Sequence, residues 1–286
     1  MAEDTSLQRT YRYLRLGIGS TILVIFVAVT VVSIDTHEIL PSISQYFYTP
    51  ARSSFVGALI AASIALFALS GHGRQRVLLN AAAIFAPLIA LVSTPIPGVD
   101  GCAFAGGCVP KDAEADIDAG VTTYLIVGGL AIIGVLLAIF IAKVHFRTVR
   151  VSLVGGGAVL LAVFLLRWLV RDGFLSYAHV AAAGIFFLLI GYAAFLSRRD
   201  DDPEQPATPA MKRIYGVVAG GMVIVLVVFV VVVVVGIVAE ETGTELPTPI
   251  VPPVFCLEAL ALSLFLLFWV VQSVQKWPHP VNPTRR

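Results

Sequence analysis

The sequence predicts an all-α fold: a polytopic membrane helical bundle of eight transmembrane helices with both termini cytoplasmic. Three observations carry that expectation. The chain of 286 residues is 58% hydrophobic and 13% charged, with a mean hydropathy of +0.92, whereas a soluble domain of its size carries about a quarter charged residues. A window of about 20 apolar residues, enough to cross a core of roughly 30 Å at 1.5 Å per residue, finds candidates near 16–34, 53–71, 77–95, 122–143, 151–170, 176–197, 214–238 and 250–273. With the N-terminus placed inside, fifteen of the nineteen Lys and Arg fall on the cytoplasmic side, leaving Arg52, Lys111, Arg167 and Arg171 at the outer face. An odd number of crossings breaks this alternation.

In chain order, residues 1–15 form a cytoplasmic segment carrying Arg9, Arg12 and Arg15. The first apolar run reads as a permanent helix, because it is long enough to span and no small-residue cleavage site follows it. Residues 16–197 hold a six-helix membrane core. A polar linker at 198–213, with Asp200–Asp202, Pro203, Pro206 and Pro209, separates it from the last two helices at 214–273, and 274–286 form a cytoplasmic tail. No residue pattern repeats between the two halves. Gly155–Gly157, Ala181–Gly184 and Gly216-x-x-x-Gly220 mark expected helix contacts, since backbones approach where side chains are small. The run Val223–Val235 has no polar side chain to satisfy, so helix 214–238 is expected to face lipid or a partner subunit, a second copy included.

The densest set of versatile side chains lies outside the spans, at Asp35–Arg52. Ile39, Leu40, Ile43, Tyr46 and Phe47 recur at helical spacing with His37, Glu38, Ser44 and Gln45 between them, which suits a short helix in the membrane interface ended by Pro50. Within the spans, ionisable groups are the informative ones, because placing a charge there costs at least about 2.5–3.5 kcal/mol. They are Arg167, His179 and Glu258. Counted inward from their outer helix ends, the three fall at overlapping depths, roughly one turn beneath the surface. An outward-facing polar pocket follows, walled by the fifth, sixth and eighth helices, roofed by Asp35–Arg52, with His37, Ser42, Tyr46, Tyr48, Arg52 and Asp100 above it. The plainer alternative has Arg167 snorkelling to the surface, His179 bonded to a carbonyl, and Glu258 paired with Arg167 as a structural ion pair.

In the outer loop 96–121, Cys102 and Cys108 flank a short Gly-containing stretch in an oxidising compartment and are expected to form a disulfide; Cys256 reads as a small apolar residue. The alternating acids Asp112, Glu114, Asp116 and Asp118 read as a solvated face rather than a calcium loop. All four lysines lie in loops or at helix ends, which removes a retinal Schiff base, and one intramembrane His cannot supply paired haem ligands. There is no nucleotide-binding loop, no nucleophile-elbow motif, no voltage-sensing Arg ladder and no basic cluster for nucleic acid. No cofactor is expected.

The stretch Leu40-Pro-Ser-Ile-Ser-Gln-Tyr-Phe-Tyr-Thr-Pro-Ala-Arg52, followed by Phe55-Val-Gly-Ala-Leu, resembles the start of an uncharacterised group of bacterial multi-spanning proteins with a domain of unknown function. Ser176-Tyr-Ala-His179-Val-Ala-Ala-Ala-Gly-Ile-Phe-Phe, Leu257-Glu258-Ala-Leu-Ala and Phe268-Trp269 are similar to its later helices. That resemblance implies an integral membrane protein and nothing about activity. A more distant similarity connects Ser42, Asp100 and His179 to the membrane hydrolases that include alkaline ceramidases and adiponectin-receptor-like proteins, in which Ser, Asp and three His surround zinc. Here the zinc ligands would be His37 and His179 with Asp100 or Glu258 as a third, a departure from three His. Three functions stand side by side: a non-enzymatic protein that binds or transports a lipid or small solute, a zinc-dependent lipid hydrolase, and an accessory subunit of a membrane complex.

Overall fold

A computed structural model of the chain describes residues 6–69, 73–96, 107–141, 146–199, 206–244 and 251–277. Among them are eight α-helices: α1 (Ser6–Thr36), α2 (Arg52–Leu69), α3 (Gly73–Leu91), α4 (Lys111–Ile141), α5 (Phe146–Leu169), α6 (Arg171–Arg199), α7 (Pro209–Thr242) and α8 (Pro253–Gln275). A 3-10 helix at Ile43–Tyr48 joins α1 to α2. Seven of the eight are long and apolar enough to cross a membrane; α3 has the shorter apolar stretch Gln75–Leu91.

Six helices close a ring in the order α1, α2, α3, α6, α7, α8 and back to α1. The hairpin of α4 and α5 lies outside it, packed on α3 and α6. Across the linker, α7 packs along α6, and α8 returns to α1. Arg15 Nη1 donates to Lys276 O at 3.4 Å and the Arg12 guanidinium lies 4.7 Å over the Trp277 ring, so the start of α1 and the end of α8 meet.

α3 lies at the centre of the packing, with Leu79, Ala82, Ala83, Ala86, Ile89 and Ala90 all buried. No side chain from Gln75 to Leu91 is exposed, as expected of a helix enclosed by protein. Pro87 sits inside it. Proline lacks the N–H that would reach the carbonyl four residues back, and an unpaired carbonyl in hydrocarbon is costly. The freed Ala83 O is met by Ser63 Oγ from α2 at 2.7 Å, and the adjacent Ile84 O by Tyr124 OH from α4 at 3.1 Å. Ser63→Ala is expected to lower stability by about 1 kcal/mol; an unchanged denaturation midpoint would show that Ala83 O finds another donor.

At the end of the bundle opposite the termini, α4 begins eleven residues before its expected start at 122, because its alternating acids lie on helix rather than loop. They are paired. Asp116 meets Arg52 at 2.7 Å, Asp118 meets Arg167 at 3.0 Å and Arg171 at 2.8 Å, and Glu114 meets Arg171 at 2.8 Å. These half-exposed bridges tie the peripheral hairpin to α2 and α6. The small-residue reading holds in part: a Cβ at Gly156 would meet Ile84 of α3, one at Gly157 Ile132 of α4 and one at Gly216 Arg198 of α6, whereas Gly155, Gly184 and Gly220 have open space beside them. Two close approaches lie elsewhere, Gly191 against Met222 and Gly221 against Leu264, joining α6 to α7 and α7 to α8. Along α7, Val223, Val227, Val230, Val231, Val234 and Val235 are exposed, as a lipid-facing run requires.

Candidate functional site

The segment after α1 enters the bundle rather than lying on it. α1 ends at Thr36, and His37 adopts φ +57, with its Nδ1 at 2.6 Å from Ile34 O. The expected interfacial helix shrinks to the 3-10 turn, in which Ile43, Ser44, Gln45, Tyr46 and Phe47 are all buried. Both faces are covered because the turn fills one mouth of the six-helix ring.

Glu258, one turn into α8, holds the start of this turn. Ser42 Oγ lies 2.8 Å and 2.7 Å from its two carboxyl oxygens. Ile43 N donates to Oε2 at 2.5 Å, Ser44 N to the same oxygen at 3.4 Å, and Ser44 Oγ to Oε1 at 2.9 Å. Phe255 N also donates to Pro41 O at 3.1 Å, so α8 and the segment are joined through main chain too. An enclosed carboxyl group thus meets the orphan donors of a helical N-terminus, as an acidic cap does.

His179 of α6 completes the cluster. Its Nε2 is 2.9 Å from Ser44 Oγ and its Nδ1 is 2.6 Å from Val92 O, just past the end of α3. A carbonyl only accepts, so Nδ1 carries a proton. Ser44 Oγ therefore lies between two proton acceptors. With one proton to share, two arrangements satisfy every contact: carboxylate, hydroxyl and imidazolium, or carboxyl, hydroxyl and neutral imidazole.

Below this cluster the ring encloses a cavity of about 320 Å³. Ser44, His179 and Glu258 line its polar end; Ile22, Ile25, Leu59, Ala62, Phe186 and Phe265 are among its apolar walls. Val180 and Val230 line it as well and are 36% and 59% exposed, so the cavity reaches the bundle surface between α6 and α7. Its floor is aromatic, with Phe186 and Phe265 rings 5.5 Å apart and Trp269 beyond.

Of the side chains the sequence nominated, Ser42, His179 and Glu258 converge. Arg167 does not join them: both of its ends engage α4, at Asp118 and at Thr122 Oγ1, 3.0 Å away. The ring order explains this, since α5 lies outside the ring. The Arg167–Glu258 ion pair is likewise replaced by an Arg167–Asp118 pair. Tyr46 is buried with its hydroxyl bonded to Ser33. Tyr48 OH donates to Ser93 Oγ at 2.6 Å and Thr94 O at 2.9 Å, and burial pushes its phenol above the ordinary range, the Ser93 bond working against that. Arg52 stacks 4.2 Å over Phe47 while bridging to Asp116. His37 is exposed and engaged with Ile34, and the His37, His179 and Glu258 zinc set is not assembled; among the described residues no three His, Cys, Asp or Glu group in a way that could hold a metal. Asp100 and Cys102 lie outside the described residues. Cys256 is a free, exposed thiol.

The residue that sequence reasoning passed over is Ser44, the link between the other two. Its only signal was its place two residues after Ser42 at a helical start. Val92 O, a main-chain atom, had no signal. A second polar layer at the opposite end was also unannounced: Gln75 Nε2 and Gln272 Nε2 donate to Ser197 Oγ at 3.1 Å and 2.9 Å, and Tyr215 OH to Gln275 Oε1 at 2.6 Å.

No family model, curated protein or solved structure matches this chain. Fold and site define a class on their own terms: a helical multi-pass membrane protein with an internal cavity, apolar along its length and polar at one end.

Proposed function

We propose that the protein binds an amphiphile, a lipid or lipid-like solute, with its chain in the ring cavity and its polar end toward Ser44, His179 and Glu258. The observation that supports this most is the cavity itself: apolar walls, one polar end and an opening between α6 and α7, where acyl chains of a bilayer would meet it. A non-enzymatic binding or transport role for such a ligand is the reading carried forward.

The setting is the plasma membrane of a bacterium, with eight crossings and both termini cytoplasmic. Two contacts support α3 as the eighth crossing. Gln75 meets Ser197 at one end of α6 and Val92 meets His179 near the other, so α3 runs beside α6 for about 25 Å at 1.5 Å per residue. The basic bias supports the orientation. Cys102 and Cys108 are proposed to pair in the outer loop, and the exposed valines of α7 to face lipid or a second copy.

Gly184 lines the cavity and a Cβ built there meets nothing within 4 Å. Gly184→Leu is therefore expected to fold normally and to fill the ligand space. Native mass spectrometry of protein released from mild detergent should find one retained amphiphile per chain in the parent and at least tenfold less in the variant. Equal retention in both would remove the proposal.

A further inference from the structure

We propose that Ser44 is a nucleophile and His179 its general base, making the polar end of the cavity a site for cleavage of long-chain acyl esters. The inference rests on the amphiphile-binding reading, since the cavity is what would present the ester. Three observations on unrelated elements carry it. The Ser44 hydroxyl is 2.9 Å from His179 Nε2, within the reach a nucleophile and its base require. The other imidazole nitrogen is fixed by Val92 O at 2.6 Å, which sets the tautomer and turns Nε2 toward the serine. Both side chains border an apolar cavity of about 320 Å³, so the hydroxyl that has a base also has room for a chain-bearing substrate beside it.

A purely structural latch accounts for Ser42, which bonds only Glu258 and the Ser44 amide. His179 is the added partner: its second nitrogen, from a different helix, lies against the Ser44 hydroxyl on the side that faces the cavity.

The chemistry balances with water as co-reactant. Ser44 Oγ bonds to the ester carbonyl carbon as its proton passes to His179 Nε2, and the carbonyl π electrons move to oxygen. In this arrangement the remaining shared proton sits on Glu258 Oε1, 2.9 Å from the nucleophile, where a neutral carboxyl can donate to the oxygen that gains charge. Collapse breaks the bond to the alcohol, which leaves with the proton from Nε2. Water then attacks the acyl-serine, gives its proton to Nε2, and the fatty acid departs as Oγ recovers it. Glu258 thus has two roles: its bonds hold the turn that carries Ser44, and its carboxyl acts on the oxygen that gains charge.

The test uses the full chain in detergent and a long-chain alkyl fluorophosphonate. Peptide mass spectrometry is expected to find a single phosphonyl adduct, on Ser44. Ser42→Ala should keep it, and His179→Asn should slow its formation at least a hundredfold; a p-nitrophenyl ester of a long-chain acid should be hydrolysed by the parent and not by Ser44→Ala. Because the adduct is mapped on the unmodified chain, a poorly folding Ser44→Ala variant does not blunt the result. Retention of amphiphile without any Ser44 adduct overturns the catalytic assignment and leaves binding intact. Labelling of Ser44 at the same rate without His179 also overturns it. Absence of both amphiphile and adduct overturns the two readings together.

Discussion

Glu258→Ala is expected to lower stability by about 3–5 kcal/mol and to release the segment between α1 and α2. The carboxyl accepts from Ser42 Oγ, Ile43 N, Ser44 N and Ser44 Oγ. Each is a donor enclosed in the ring mouth, and stranding one costs about 1–3 kcal/mol. The donors share two oxygens, and the turn can shift to recover some bonds, so the total falls short of the simple sum. Glu258→Gln should be milder, because one oxygen is kept while an amide N–H₂ is brought against donors. The measurement is a pair of denaturation midpoints together with protease access to the stretch around Pro41. If Glu258→Ala melts with the parent and Pro41 stays protected, the cap is not what holds the turn.

The second large effect is at Gly191→Val, expected to cost about 1–3 kcal/mol. A Cβ there falls 3.0 Å from Met222 Cβ and 3.6 Å from Met222 Cγ, with Ala219 O at 3.8 Å. The nearest atom is the root of a side chain rather than its flexible end, so α6 and α7 must separate. These two helices wall the side opening of the cavity. Bound amphiphile is therefore expected to exchange faster in Gly191→Val than in the parent, by several-fold in a chase with labelled lipid. An unchanged melting point and exchange rate would show that the pair has slack. Gly184, seven residues earlier on the same helix, is the internal contrast: it lacks any such neighbour.

How far the sequence carried these conclusions follows from what each feature depends on. Helix positions were legible because hydrocarbon demands long apolar runs, and seven of the eight helices meet that demand in the structure. The start of α4 was missed because its acids alternate like a solvated loop, whereas their arginine partners come from α2, α5 and α6. His179 and Glu258 were legible because ionisable groups are expensive at such depth. Arg167 was grouped with them on depth alone. Depth fixes height in a bundle but not azimuth, and α5 lies outside the ring that α6 and α8 help to close. Ser44 was read only as a polar position of the interfacial segment, because its meaning comes from Glu258 and His179 on two helices distant in sequence.

The ring is sealed by its first and last helices, and this has a consequence for biogenesis. As helices enter the bilayer in order, α1 waits for α8 through the insertion of six others, and α3 waits for α6 while the α4–α5 excursion is made. Until α8 arrives, the amides of Ile43 and Ser44 have no carboxyl to receive them. An unfinished chain therefore presents unpaired polar groups next to lipid, a mark by which membrane chaperones and proteases can tell it from the completed protein.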